Sequence, residues 1–155
     1  MKKNKPLVTI SITCKNYGKF LKKSLESVLN QTYKKIEIYV VDDNSEDQSK
    51  KILDSLKKEY PKINCIYNKK NLGLQKISNS IIKICNGKYF LRLDADDWLY
   101  KNTVKLMVES FELKKNIDAV YGNYNYVNES GKIIGYENNL NIIKKHIAPH
   151  GACTM

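Results

Sequence analysis

Short apolar runs alternate with stretches whose apolar positions recur every three or four residues through most of the chain. "LVTISIT" (7–13) is rich in β-branched residues and predicts a strand. After "CKNYGK", Leu21, Leu25 and Leu29 repeat on one face of a helix. "IEIYVVD" predicts a second strand, and the Asp-Asn-Ser cluster after it offers caps for a helix beginning near Glu46 that uses Ile52, Leu56 and Tyr60. "INCIYN" predicts a third strand, followed by a loop through Gly73 and a helix carrying Ile77, Ile81 and Ile84 that ends on an "NG" C-cap. "KYFLRLD" predicts a fourth strand and "NTVKLMVESFELKKN" a fourth helix, with Val104, Val108 and Phe111 on one side. "DAVYGNYNYVN" and "KIIGYE" read as two further strands joined at "ESG".

This alternation predicts an α/β fold, a mostly parallel, doubly wound sheet flanked by helices, as one domain over residues 1–155. Ligands of such sheets sit beyond the carboxyl ends of the strands. Thr13, Asp43 and Asp94 to Asp97 all fall at such ends, so three separate stretches converge on one rim.

The rim is acidic. Asp42 and Asp43 end a buried run side by side, and their repulsion has to be offset by a metal, a cation or a ligand that donates hydrogen bonds. A carboxylate only accepts, which suits Asp43 to a ring N–H or to ribose hydroxyls. The plainer alternative is a helix cap, a task open to Asp42 or Asn44. In "LDADD", Asp94 and Asp96 point to the same side if the strand stays extended. Hard carboxylate oxygens without nearby His or Cys suit Mg²⁺ or Mn²⁺ completed by substrate phosphates. An acidic turn capping the helix near Asn102 is the alternative.

Composition narrows this further. Hydrophobic residues make up 42% and charged residues 28%, as in ordinary soluble domains, and no apolar run approaches the ~20 residues of a membrane span. The basic start lacks a long apolar stretch and a cleavage site, which argues against a secretory signal and for a cytoplasmic location. The net charge of +11 is nearly all lysine, with Arg92 the only arginine, and the lysines are spread out. That distribution speaks against a nucleic-acid partner and leaves a mild attraction to anionic membranes or phosphorylated substrates open. Cys14, Cys65, Cys85 and Cys153 form no CxxC pair and read as buried, reduced thiols. His146 and His150 are separated by Pro149, which disfavours a helical metal pair. Neither GxGxxG nor GxxxxGK[ST] is present, so an anion here must be met by metal and lysine. A phospho-receiver domain also carries an acidic pair, but there it ends the first strand. Here a complete strand-helix unit (7–30) precedes it, and "DADDWLYKN" lacks the receiver's Met-Pro and Asp-Gly loop.

Taken in order, "SVLNQTY", "VVDDNS", "NLGLQKISNSI", "NGKYFLRLDADD" and "YGNY" resemble family 2 glycosyltransferases, inverting enzymes of the Rossmann-like GT-A fold that use nucleotide sugars. The resemblance runs from about Val8 to at least Tyr126. It implies that Thr13 lines the nucleobase pocket, that Asp43 accepts the uracil N3–H, and that Asp94 bonds the ribose or assists the metal. Asp96, with Asp97 close behind, is implied as ligand of Mn²⁺ or Mg²⁺ on the diphosphate, and Asn79 as a structural residue. Lys15 stands where the family often has Tyr, at the nucleotide. Ser78 stands where the family commonly has a basic residue, and the resemblance implies Lys76, one helical step away, as its substitute in neutralising the diphosphate.

The implied reaction moves a sugar from a UDP-sugar to a glycan or lipid-linked acceptor, with peripheral association at the inner membrane face and homodimerisation left open. After Asp97, Glu109, Glu112, Asp118, Glu129 and Glu137 stand alone, without the family's Glu-Asp type motif for the general base. The expectation is a donor-binding part that stops before the acceptor half, its base beyond residue 155. A non-catalytic nucleotide-sugar-binding module and a nucleotidyltransferase remain as alternatives, the latter without its glycine-rich signature.

Overall fold

A computed structural model describes residues 5–114, 116–138 and 155. The elements run β1 (Val8–Cys14), α1 (Gly18–Leu29), β2 (Ile36–Asp42), α2 (Ser49–Glu59), β3 (Asn64–Tyr67), α3 (Leu74–Ile84), β4 (Tyr89–Asp94), α4 (Thr103–Leu113), β5 (Tyr124–Val127) and β6 (Ile133–Glu137). The first four strands form one parallel sheet in the order β3-β2-β1-β4, and β5 and β6 form a separate antiparallel hairpin with a bulge between Tyr126 and Val127. The predicted α/β fold is the one observed. Within the described residues, no helix is long and apolar enough to cross a membrane.

β1 is buried at every position because it lies inside the sheet with helices on both faces. Its two faces differ in chemistry. Val8, Ile10, Ile12 and Cys14 join Ile38, Val40, Leu91 and Leu93 under α1, α2 and α4, which contribute Leu21, Leu25, Leu53, Leu56, Val104 and Val108. The opposite face carries the smaller cluster of Tyr39, Val41, Ile77 and Ile81 under α3. There β1 presents Thr9, Ser11 and Thr13, all buried.

Several boundaries depart from the sequence expectation. α2 starts at Ser49 rather than near Glu46, since Asp47 takes the backbone N–H of Ser49 on one oxygen (2.9 Å) and that of Gly18 on the other (3.1 Å). α3 does not end on a glycine cap. Its terminal residue Cys85 is already extended, and Ile84, expected on the buried face, is 55% exposed. Gly87 is needed for proximity instead: a Cβ there would lie 2.3 Å from Thr9 Oγ1 and 2.6 Å from its backbone nitrogen. α4 stops at Leu113, short of the expected "KKN", and only Tyr124–Val127 of the "DAVYGNYNYVN" run pairs as a strand. Cys14 is buried, while Cys65 and Cys85 are half-buried free thiols. Cys153, His146, Pro149 and His150 lie outside the described residues.

Gly87→Ala should therefore destabilise the domain by ~1–3 kcal/mol, the range for forcing an atom into packed backbone. Urea unfolding measures it, and an unchanged midpoint would show that the segment shifts freely.

Candidate functional site

The register of the sheet builds the rim. Thr13 pairs with Val41 on one side and Asp94 on the other, and Cys14 pairs with Asp42. The ladder continues one step past the strands, with Asp43 N donating to Cys14 O (2.8 Å) and Ala95 N to Thr13 O (3.0 Å). Thr13 and Asp94 thus lie level at neighbouring strand ends, and Asp43 follows two residues beyond that level, just past the end of β2.

The Asp42–Asp43 repulsion is met by donors of the protein itself. Asp43 Oδ1 accepts from Asn68 Nδ2 (2.8 Å) and Leu72 N (2.9 Å), and Oδ2 from Gly73 N (2.9 Å). Burial pushes this carboxyl up, but those three bonds and the nearby Lys15 outweigh it and hold the pKa below the ordinary 3.8. The 68–73 loop is thereby tied to the end of β2. Gly73, at φ 78°, makes the left-handed turn into α3 that a side chain would oppose. Lys15 bonds the carbonyl of Asn44 and sits 3.9 Å from Glu46. Its ammonium reaches the loop after β2. Of the two residues open to a helix-cap role, Asp42 only approaches Ser45 N (3.4 Å), and Asn44 adopts φ 60°.

On the polar face, Arg92 Nη2 lies 3.3 Å from Asp94 Oδ2. Ser11 Oγ, Thr13 Oγ1, Arg92 Nε and Asp94 Oδ1 are buried there without a hydrogen-bond partner among the described residues. Such atoms are costly unless a ligand or water meets them. Arg92 and Ser11 were absent from the sequence-based set, although an arginine inside an apolar strand run was a visible signal.

After Asp94 the chain does not stay extended, contrary to the D-x-D expectation. Asp97 N bonds Asp94 O (3.0 Å), closing a turn that leaves Asp94 half-buried and Asp96 exposed. Asp96 and Asp97 line a cavity of about 340 Å³ with Trp98, Tyr100, Tyr124 and Tyr126. Among the described residues no three His, Cys, Asp or Glu side chains gather to hold an ion alone. Two hard carboxylates on one cavity wall do suit Mg²⁺ or Mn²⁺ completed by phosphate oxygens.

The turn is clamped by α1. Ser24 Oγ donates to Asp94 O (3.3 Å), and Ser27 Oγ accepts from Leu99 N (3.1 Å). Gln31, fully buried, donates to Tyr100 O (2.8 Å) and Ser27 O (3.0 Å) and accepts from Val104 N (3.1 Å). Thr32 bonds Asn102 Oδ1 (2.9 Å). This gives "SVLNQTY" its physical meaning.

Lys76 lies in the first turn of α3 with its side chain exposed. Asn79, expected to be structural, is exposed on α3. Of the lone carboxylates after Asp97, Glu112 is held by Lys88 (3.0 Å) and Tyr89 (2.8 Å), Glu109 lies 3.8 Å from Lys105, and Glu129 pairs with Lys19 (3.0 Å). None of these lines the cavity.

A parallel sheet whose loops gather polar atoms beyond its carboxyl edge is the architecture of nucleotide-binding α/β domains. The sequence model described as Glycosyl transferase family 2 matches residues 9–151, and the chain belongs to that family. It is 33% identical over 132 residues to a chondroitin synthase of Escherichia coli, covering 85% of this chain and 19% of that protein. Among solved structures it resembles S. aureus TarS 1-349 in complex with UDP-GlcNAc, with TM-score 0.67 and 27% identity over 81% of this chain and 36% of the other. It shares its fold with the mannosyltransferase PcManGT from Pyrobaculum calidifontis, solved with GDP-Man and Mn²⁺, at TM-score 0.68 and 21% identity over 76% and 35% of the two chains. The fold is GT-A.

Two outcomes follow from this geometry. Gln31→Leu should cost ~1–3 kcal/mol in urea unfolding, because Val104 N loses its partner while buried and Tyr100 O loses a part-buried one; an unchanged midpoint would show that water replaces the carboxamide. Because the folded Asp43 pKa is depressed, its contribution is complete above the ordinary value of 3.8 and is lost as pH falls through the folded one. Wild type should therefore lose stability below about pH 4 more steeply than Asp43→Asn. Parallel pH profiles of the two unfolding midpoints would place the titration elsewhere.

Proposed function

We propose that this domain binds the nucleotide-sugar donor of a metal-dependent, inverting glycosyl transfer, with a UDP-sugar as donor and a glycan or lipid-linked glycan as acceptor. The observation that carries the reading is the rim itself. Thr13 Oγ1 and Asp94 Oδ1 are buried and unpartnered at adjacent strand ends. A nucleoside with its ring amide and ribose hydroxyls offers the complementary groups. The relatives support it further, since TarS is titled with UDP-GlcNAc and the chondroitin synthase is named for a polysaccharide.

In this proposal Thr13 and Asp94 meet the nucleoside. Asp43 has about four acceptor positions, of which Asn68, Leu72 and Gly73 use three, leaving one on Oδ2 for the uracil N3–H. Asp96 and Asp97 would hold Mn²⁺ or Mg²⁺. The metal, when bound, supplies the Lewis acid that stabilises the departing diphosphate. Lys15 adds positive charge from the loop after β1 and Lys76 from the first turn of α3. Arg92 anchors Asp94, and the Ser24–Gln31 clamp keeps the acidic turn in place before substrate arrives, which lowers the cost of ordering it. We assign no general base among the described residues.

UDP binding should require Mn²⁺ or Mg²⁺ and be lost in Asp96→Asn, because a diphosphate facing two carboxylates needs a cation between them. Calorimetry with and without chelator tests this. Equal UDP affinity in both conditions would remove the metal from the site.

A further inference from the structure

Successive residues of the loop after β4 are met from α1 at intervals of four. Ser27 Oγ accepts from Leu99 N (3.1 Å), and Gln31, two residues past the helix, donates to Tyr100 O (2.8 Å). One turn before Ser27, on the same side of the helix, stands Lys23. Its ammonium lies 3.3 Å from the ring centroid of Trp98, the residue preceding Leu99. Residues 23, 27 and 31 thus meet residues 98, 99 and 100 in order, two through backbone atoms and one through an indole.

The indole contact differs in kind from the other two. Gln31 is fully buried, whereas Lys23 is exposed. Lys22 lies 3.8 Å from Glu26 and 3.9 Å from Glu59, and Lys19 pairs with Glu129 (3.0 Å). Lys23 has no such carboxylate among the described residues, and a cation over an indole face is held by the ring quadrupole instead. The same ammonium reaches the tip of the β5–β6 hairpin, where a Cβ at Gly131 would lie 3.1 Å from Nζ. Lys19 and Lys23, one turn apart on α1, therefore both touch the turn that contains Glu129 and Gly131.

Trp98 directly follows Asp96 and Asp97, and all three line the same cavity. The bond from Asp97 N to Asp94 O (3.0 Å) closes the acidic turn, and Asp96 is exposed on it. A large ring fixed immediately after this turn limits where its carboxylates can go. We propose that Lys23 is a positioning residue: by holding the Trp98 indole it orients Asp96 and Asp97 and couples the acidic turn to the hairpin tip. Only the consequence for a bound diphosphate rests on the donor reading above.

Trp98 is the only tryptophan of the chain, so intrinsic fluorescence reports this ring alone. Lys23→Met keeps an apolar stem and removes the cation. It should raise acrylamide quenching of Trp98 and speed hydrogen exchange at Asp97 N about two- to fivefold, the range for an exposed cation–π contact. UDP affinity in the presence of Mg²⁺ should fall by a similar factor. Lys23→Arg should restore all three, because a guanidinium also stacks on an aromatic face. Lys22→Met, the same loss of charge on another face of α1, should leave them at the wild-type level. The urea midpoints of the two methionine variants should coincide, which separates a local effect from a global one. Unchanged quenching and exchange in Lys23→Met would overturn the proposal, and so would a Lys23→Arg variant that behaves like Lys23→Met. Altered quenching and exchange with undiminished UDP affinity would reduce Lys23 to a structural contact and overturn it too. If the wild type binds no UDP, the donor reading fails, and quenching with Asp97 exchange alone decides whether Lys23 fixes the turn.

Discussion

The carboxamide of Gln31 is the constraint on which the acidic turn depends. It lies fully buried and spends its donors and acceptor on the backbone of Ser27, Tyr100 and Val104. Those atoms belong to the end of α1, the loop after β4 and the start of α4, so one side chain sets the spacing of three elements. A buried amide that satisfied only some of these would cost more than it contributed. With all met, it holds a loop that carries charge and could not otherwise pack. Ser24 and Ser27 on α1 and Thr32 just after it add further bonds to the segment from Asp94 to Asn102.

The sheet separates stability from recognition by its two faces. One face is aliphatic and packs against three helices. The other places Thr9, Ser11, Thr13 and Arg92 beside the thinner cover of α3. Thr9 and Glu37 are spent on structure, since Thr9 Oγ1 donates to Glu37 (2.8 Å) and Glu37 takes both donors of Asn86 (3.0 and 2.9 Å). Toward the carboxyl edge the polar atoms lose their partners. Polarity on this face therefore grows less satisfied in the direction of the rim, which is the direction in which a ligand can supply the missing bonds.

"VVDDNSED" shows how closely spaced carboxylates take separate tasks. Asp43 ties the loop that leads into α3, Asp47 joins the starts of α1 and α2, and Asp42 stays at the strand end with one oxygen unmet. Backbone N–H groups rather than cations neutralise most of this charge. An acidic run that reads as a metal or ligand site can thus be largely a set of loop anchors, with binding resting on the acceptor positions left over.

Sequence by itself determined the element order, the parallel α/β class and the carboxyl edge on which Thr13, Asp43 and Asp94 gather. Periodicity and strand length are local properties, and strand ends in a parallel sheet align on one edge. The family was also legible, because spaced motifs survive without coordinates. Tertiary structure alone decided the partners. Whether Asp43 faces a ligand or the 68–73 loop, whether "NG" caps a helix or lets Gly87 approach Thr9, and whether Asp94 and Asp96 stay side by side all depend on atoms from distant segments. The tyrosines of β5 illustrate the same limit. In sequence they are an ordinary strand pattern. They become the wall of a cavity only because Asn125 reaches Tyr100, a contact between residues 25 apart that no local pattern encodes.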